Sequence, residues 1–198
     1  MQEFWDQRFD VKEFVYGRHP NAFFKDFIDH HKTGSLLLPA EGEGRNAVYA
    51  ALKGWQVSAF DFSPKARAKA LTLCKEYGVE IDYQLSSIED YHTEARFHAI
   101  ALIFLHLLPE TRHQVHRKLI DLLEPGGYFV LEAFSKKQIH YNTGGPQNQD
   151  LLYQGRDLID DLHNLELVYF KEKLRTLENG LHHQGKAEVI QLIARKLN

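Results

Sequence analysis

Two glycines and two carboxylates stand in the run Pro39-Ala40-Glu41-Gly42-Glu43-Gly44-Arg45-Asn46-Ala47, directly after the apolar Leu36-Leu37-Leu38. A buried strand ending in such a run delivers Gly42 and Gly44 into a tight turn. There the backbone can approach a ligand, and the following helix aims its amides at the same spot. Asp61 comes nineteen residues after Gly42, at the expected carboxyl end of the next strand. Its carboxylate can accept hydrogen bonds from both hydroxyls of an adenosine ribose. The pair points to an adenosine-containing cofactor. By spacing alone, Gly42-x-Gly44-x-x-Ala47 also satisfies the dinucleotide fingerprint, so a nicotinamide cofactor stays open. Glu41 and Glu43 flank the place of a pyrophosphate, and anion against anion is unfavourable there. S-adenosylmethionine, with a cationic end and no phosphate, suits an acidic loop better.

The twelve histidines raise a metal question that their spacing answers. His113 and His116 are three apart on a predicted helix, while His30-His31 and His182-His183 are adjacent pairs. None forms a zinc-enzyme motif, and the single cysteine, Cys74, allows no cysteine cluster and no intramolecular disulfide. No metal is expected. His30, His31, His113 and His116 read as surface imidazoles, and Cys74 as a small apolar residue packed inside a helix. His106, at the end of a predicted strand, reads equally as packing or substrate contact. His182 and His183 differ because Gly180 and Gly185 bound them in a connection that would overhang the substrate side.

The elements that must position these residues alternate between short apolar runs and helical patterns, the grammar of a parallel sheet with crossover helices. Strands are predicted at Ser35 to Leu38, Gln56 to Phe60, Ile81 to Gln84, Ala99 to Phe104 and Tyr128 to Phe134. Helices are predicted at Ala22 to His30 with Asn21 as cap, Arg45 to Leu52, Pro64 to Glu76 with Ser63 as cap, and Pro109 to Leu123. Glu124-Pro125-Gly126-Gly127 then turns into a strand. Gln138 to Gln154 reads as a long loop, a length that is uncommon without a function. A short helix at Arg156 to Leu162 precedes two extended runs, Leu165 to Leu177 and Lys186 to Lys196, which form an antiparallel hairpin at one edge of the sheet.

With 198 residues the chain predicts one α/β domain over residues 1–198, in which an aromatic segment, 1–34, forms a lid over the cofactor and residues 35–198 form the core. Lys plus Arg (24) against Asp plus Glu (27) gives a formal charge of −3 and no basic stripe, which argues against nucleic acid as partner. No apolar run reaches the ~18 residues of a membrane span, and the first residues lack the order of a signal peptide, so a cytoplasmic location away from membranes is expected.

Several motifs run nearly end to end: Trp5-Asp6-Gln7-Arg8-Phe9, Tyr16-Gly17-x-x-Pro20-Asn21, the Gly42 loop with Arg45-Asn46, His106-Leu107-Leu108-Pro109, the Pro125-Gly126-Gly127 turn, Gly144-Gly145-Pro146 and Glu178-Asn179-Gly180-x-His182-His183-Gln184-Gly185. With them the chain resembles a bacterial class I S-adenosylmethionine-dependent methyltransferase of the tellurite-resistance or thiopurine-methyltransferase-like group. That resemblance implies a three-layer, Rossmann-like, seven-stranded and mostly parallel sheet whose last strand is antiparallel. It implies cofactor contacts from Ala40, Glu41, Gly42, Gly44 and Asn46 in the loop, and from Asp61 and Phe62 after the second strand. Ser87 and Ile88 would hold the adenine, and Phe104 and Leu105 would end the fourth strand beside the methyl group. Here Ala40 and Glu41 replace the first glycine region of the usual turn. The acceptor is expected to be a small molecule such as a thiol or metalloid oxyanion, with Tyr16, His106, His182 and His183 on the substrate side. A monomer or weak homodimer is expected. Two other readings stand beside this one: a nicotinamide-dependent oxidoreductase, and a non-catalytic S-adenosylmethionine-binding module.

Overall fold

The computed structural model describes residues 2–180 and 182–197, without the Asn179 side chain. Met1 of the segment 1–34, Leu181 of the hairpin connection and Asn198 lie outside the described residues. The strands form a seven-stranded mixed sheet in the order β3-β2-β1-β4-β5-β7-β6, parallel except at its last strands. The described residues divide into two compact units, 2–93 with 179, 180 and 182, and 94–178 with 183–197.

In the first unit, β1 (Ser35–Pro39), β2 (Gln56–Asp61) and β3 (Asp82–Leu85) run parallel. Leu36, Leu37 and Leu38 are all buried, so both faces of β1 are covered. That is why the strand reads as an unbroken apolar run rather than an alternating one. Asn21 caps α2 (Ala22–His30), accepting from the Phe23 and Phe24 amides, and buries Phe24, Phe27 and Ile28. α3 (Arg45–Leu52) follows the glycine loop, and α4 (Pro64–Tyr77) starts at its cap Ser63 with proline at the first turn. Cys74 packs with Val48 and Leu73, and burial pushes its thiol up to about 11.

α1 (Gln2–Phe9) was not legible as a helix. Its aromatic residues Phe4, Trp5 and Phe9 share a side with the charged Arg8, so eight residues carry only a short, interrupted apolar stripe. What holds it is packing: Phe9, Val15 and Ala66 cluster with Trp5 and Tyr16, which lays α1 against α4.

In the second unit, β4 (Phe97–Ile103) pairs in parallel with β5 (Leu123–Phe134), and β5 pairs antiparallel with β7 (His183–Lys196). β6 (Leu165–Asn179) is the edge strand beside β7. The helix α5 (Pro109–Asp121) ends before Leu123, and β5 already begins there; the Glu124–Gly127 turn sits inside the strand as an irregularity opposite Phe97 and Ala99. Between Phe134 and α6 (Gly155–Asp161), the expected long loop contains two short 3-10 turns, Lys136–His140 and Gln149–Leu151.

Two surface expectations are corrected here. His116 is fully buried, 2.9 Å from Asp161, which also accepts from Arg112 at 2.6 Å. Burial pushes the His116 pKa down. Asp161 is penalised by burial too, but His116 and Arg112 outweigh that and hold its carboxyl well below the usual range. His31 also departs from a solvated surface role: its ring stacks on Phe27 at 4.0 Å. No described helix is long and apolar enough to cross a membrane.

Candidate functional site

The glycine loop is built in left-handed backbone, with φ of 51° at Ala40, 67° at Gly42 and 85° at Gly44. Ala40 holds this conformation against its own Cβ, at a cost of about 1–2 kcal/mol. Glu41 compensates from within the loop. Its carboxylate accepts from the Asn46 and Ala47 amides, both at 2.8 Å, and from the Asn46 side chain at 3.3 Å. Glu43 turns the other way, accepting from the Val15 and Tyr16 amides and pairing with Lys69 at 2.8 Å. The Arg45 guanidinium donates to the Tyr16 carbonyl, and the Asn46 side-chain oxygen accepts from the Asn21 amide. Both carboxylates are engaged by donors of the protein itself. Both hold the protein together, and Glu41 occupies the amides of α3 that a pyrophosphate would need.

Asp61 is 6% exposed at the end of β2. One carboxylate oxygen accepts from the Gly42 amide at 3.1 Å and the other from the Ser63 amide at 2.9 Å. Tyr83 locks the same turn by donating to the Gly42 carbonyl at 2.6 Å. Burial raises the Asp61 pKa despite these bonds. The Phe62 amide also favours the charged form, and with about four acceptor sites on a carboxylate, capacity remains for a ribose hydroxyl to donate. Phe62 is half-buried, and its carbonyl accepts from Gln2 of α1. After β3, the Ser86 amide returns to the Asp61 carbonyl. The Ser87 hydroxyl donates to Asp90 at 2.7 Å and accepts from the Asp90 amide, and Ile88 is half-buried beside it. Ser87 therefore braces its own turn.

The N-terminal aromatics reach this loop. Trp5 stacks on Phe9 at 5.6 Å, and Tyr16 lies 6.3–6.4 Å from both rings. A Cβ at Gly42 would come within 3.6 Å of the Phe9 ring. The Ser63 hydroxyl donates to Asp6, fastening α1 to the start of α4. Gly180 lies so close to the Val15–Gly17 backbone that any Cβ would collide with it. This contact places the exposed His182 ring 6.3 Å from Tyr16.

The second unit holds the other expected residues. Phe104, at the end of β4, has a φ of 58° and donates its amide to the Glu132 carbonyl at 2.7 Å. Its ring contacts Phe134 at 4.6 Å and the His183 ring edge-on at 4.7 Å. Tyr153 fixes the following turn, donating to the Leu105 carbonyl and accepting from the Leu107 amide. His106 is engaged at both nitrogens: Nδ1 donates to the Leu151 carbonyl at 2.7 Å, and Nε2 accepts from the Phe134 amide at 3.4 Å. Burial pushes its pKa down to about 4. His106 is thus a neutral brace. His183 is 6% exposed between Phe104 and Phe134, whereas its neighbour His182 is exposed, so the pair does not act as one unit. Among the described residues, no group of three or more His, Cys, Asp or Glu gathers as a metal site would require.

Residues 39–127 match a family model described as a methyltransferase domain. The fold is that of a class I S-adenosylmethionine-dependent methyltransferase. Over 145 residues the chain is 29% identical to the ubiquinone biosynthesis O-methyltransferase of Chromobacterium violaceum, covering 70% of this chain and 61% of that protein. TehB from Haemophilus influenzae is similar in structure, with a TM-score of 0.75 at 16% identity over 98% of this chain and 66% of that one. The chain thus spans less than two thirds of the length of either relative. The 1,6-didemethyltoxoflavin-N1-methyltransferase of Burkholderia thailandensis, whose structure holds 1,6-didemethyltoxoflavin and S-adenosylhomocysteine, aligns with a TM-score of 0.66 at 17% identity over 89% of this chain and 79% of that one.

Within this methyltransferase fold, the loop carboxylate carries a pH signature. Burial pushes Glu41 up to about 7, against hydrogen bonds from Ala47 and Asn46 that favour the charged form. The folded state therefore holds this proton more tightly than the unfolded chain does. The resulting stability is complete below about pH 4.5 and is lost as pH rises through about 7. At about 1.4 kcal/mol per pKa unit, the effect is on the order of 3 kcal/mol. Glu41→Gln keeps an acceptor for the amides but cannot titrate. Urea midpoints at pH 5, 6, 7 and 8 should show the wild type losing stability relative to this variant. Parallel profiles would contradict the assignment.

Sequence reasoning passed over Arg8 and Tyr83. Tyr83 left no local signal, because its partner Gly42 is 41 residues away. Arg8 stood inside the quoted Trp5–Phe9 motif without a role.

Proposed function

We propose that the protein transfers a methyl group from S-adenosylmethionine to a small-molecule acceptor, in the manner of the tellurite-resistance and thiopurine-methyltransferase-like group. The observation that carries this reading is the Gly42 loop tied to Asp61 inside the segment that matches a methyltransferase domain. The residues fit the cofactor: Asp61 has lone pairs for the ribose hydroxyls, and Gly42 and Gly44 keep the loop low enough for close approach. When bound, the cofactor supplies a methyl carbon already activated by the adjoining sulfonium.

The chain's own part is positioning. Asp61 orients the ribose, and Glu41 fills the amides of α3 that would otherwise welcome a phosphate. That occupancy speaks against a nicotinamide dinucleotide. The segment 1–34, through Trp5, Phe9 and Tyr16, acts as a lid that excludes water from the loop. His106 takes no proton from the acceptor, since both ring nitrogens are in use and its pKa is about 4. An acceptor that is already deprotonated, such as a thiolate, needs no base: its lone pair forms the bond to carbon as the sulfonium–carbon bond breaks.

The acceptor chemistries of the relatives, an O-methyltransferase and an N-methyltransferase, support the small-molecule class. The test is release of S-adenosylhomocysteine with thiols, tellurite, selenite and small phenols, alongside thermal shifts with S-adenosylhomocysteine and NADH. Release with one acceptor and stabilisation by S-adenosylhomocysteine alone are expected. Stabilisation by NADH alone would overturn the cofactor. Binding without transfer to any acceptor would leave a non-catalytic module.

A further inference from the structure

α1 has two chemically opposite faces. Glu3, Asp6 and Asp10 recur on one side and line a shallow groove with Lys65, which pairs with Asp10 at 2.9 Å. Phe4, Trp5, Arg8 and Phe9 take the other side, as the helical repeat dictates. On that side the Arg8 guanidinium lies over the Phe4 ring at 4.7 Å and the Trp5 ring at 5.4 Å. It donates to the Tyr16 hydroxyl at 3.0 Å.

Arg8 pairs with no carboxylate among the described residues. Three acids of this region are engaged elsewhere: Glu43 by Lys69 and two amides, Asp6 by the Ser63 hydroxyl, Asp10 by Lys65. A guanidinium has five N–H donors in a rigid fork suited to oxyanions and carboxylates, and this one spends a single bond on a neutral phenol. Arg8, Trp5 and Tyr16 are half-buried while the Phe4 ring is exposed, so an anion could reach the guanidinium from solvent and meet it beside partly dry aromatic surface, where attraction is stronger than in open water. Through Phe9 and Tyr16, the same aromatic face reaches the Gly42 loop.

We propose that Arg8, set among Phe4, Trp5 and Tyr16, is the anion-binding residue of the acceptor site, so that the acceptor is a negatively charged small molecule. The proposal rests on the methyl-transfer reading for the name acceptor; the anion site itself rests on Arg8. The alternative is that Arg8 only packs on the rings. A packing role would be indifferent to the ligand's charge.

The experiment uses the full chain saturated with S-adenosylhomocysteine. Calorimetric titration at pH 8 compares selenite, an oxyanion, with benzenethiol, present there as thiolate, and with neutral phenol. At least one anion is expected to bind, more weakly at high salt. Arg8→Gln should reduce that affinity tenfold or more, leave S-adenosylhomocysteine and phenol binding unchanged, and be partly rescued by Arg8→Lys. The anion that responds identifies the source of the charge. Wild-type protein that binds neither anion, or an Arg8→Gln variant that binds them as wild type does, overturns the proposal; so does equal loss of phenol binding. Methyl transfer, followed separately with the same acceptors, tests the other reading. Anion binding lost in Arg8→Gln with no transfer in any variant leaves the anion site standing and the methyl-transfer reading refuted. Equal binding and transfer in wild type and Arg8→Gln does the reverse.

Discussion

Asp61→Ala is expected to weaken S-adenosylhomocysteine binding ten- to a hundredfold in a protein that still folds. A hydrogen bond to a charged acceptor is worth about 1.5–3 kcal/mol, and ten- to a hundredfold corresponds to about 1.4–2.8 kcal/mol. Two losses combine. The ribose hydroxyls lose their acceptor, and the Gly42 and Ser63 amides lose the carboxylate that fixes the loop. Asp61→Asn separates them, since its single carbonyl oxygen can keep one amide bond while the charge is gone. It should fall between the wild type and the alanine variant. Calorimetry on variants with unchanged circular dichroism is the measurement, and wild-type affinity in Asp61→Ala would remove the residue from the site.

Gly44→Val should be the most damaging single change in the loop. Gly44 precedes α3 with a φ of 85°, a conformation that costs an L-residue about 1–2 kcal/mol. A Cβ there would stand 2.7 Å from the Ala70 Cβ and 2.9 Å from its Cα, and the α4 backbone cannot yield as a long side chain would. Overpacking of this kind adds about 1–3 kcal/mol. The sum, roughly 3 kcal/mol, corresponds to a fall of about 6–12 °C in Tm for a chain of this size. Gly54→Ala is the control. Its φ is nearly the same, 86°, but its nearest neighbour lies 4.0 Å away, so only the conformational cost applies. Equal Tm losses in the two variants would show that close packing against α4 is not what Gly44 serves.

What local chemistry dictates was readable from the sequence. The bounds of α2 and α3 coincide with expectation, because Asn21 caps one and the glycine loop launches the other. The start of α4 follows from Ser63-Pro64, and the succession of strands along the chain from apolar runs separated by helical periods. The long final hairpin strands are legible for the same reason, as is the Gly42–Asp61 spacing. Each signal lies within a few residues or within one strand–helix–strand repeat.

The tertiary structure decided whatever depends on a partner far along the chain. Glu41 and Glu43 read alike in sequence, yet one caps α3 and the other holds Val15, 28 residues earlier, with Lys69. His106 became a neutral brace because the Leu151 carbonyl, 45 residues on, accepts a hydrogen bond from its Nδ1–H in a buried setting. His116 went inside because Asp161 meets it there, and α1 formed on a surface that α4 supplies. Sequence fixes a side chain's chemistry and its local direction. Whether a carboxylate or imidazole meets water, a helix end or another charge is a question of burial, and only the folded chain brings those distant groups within hydrogen-bonding reach.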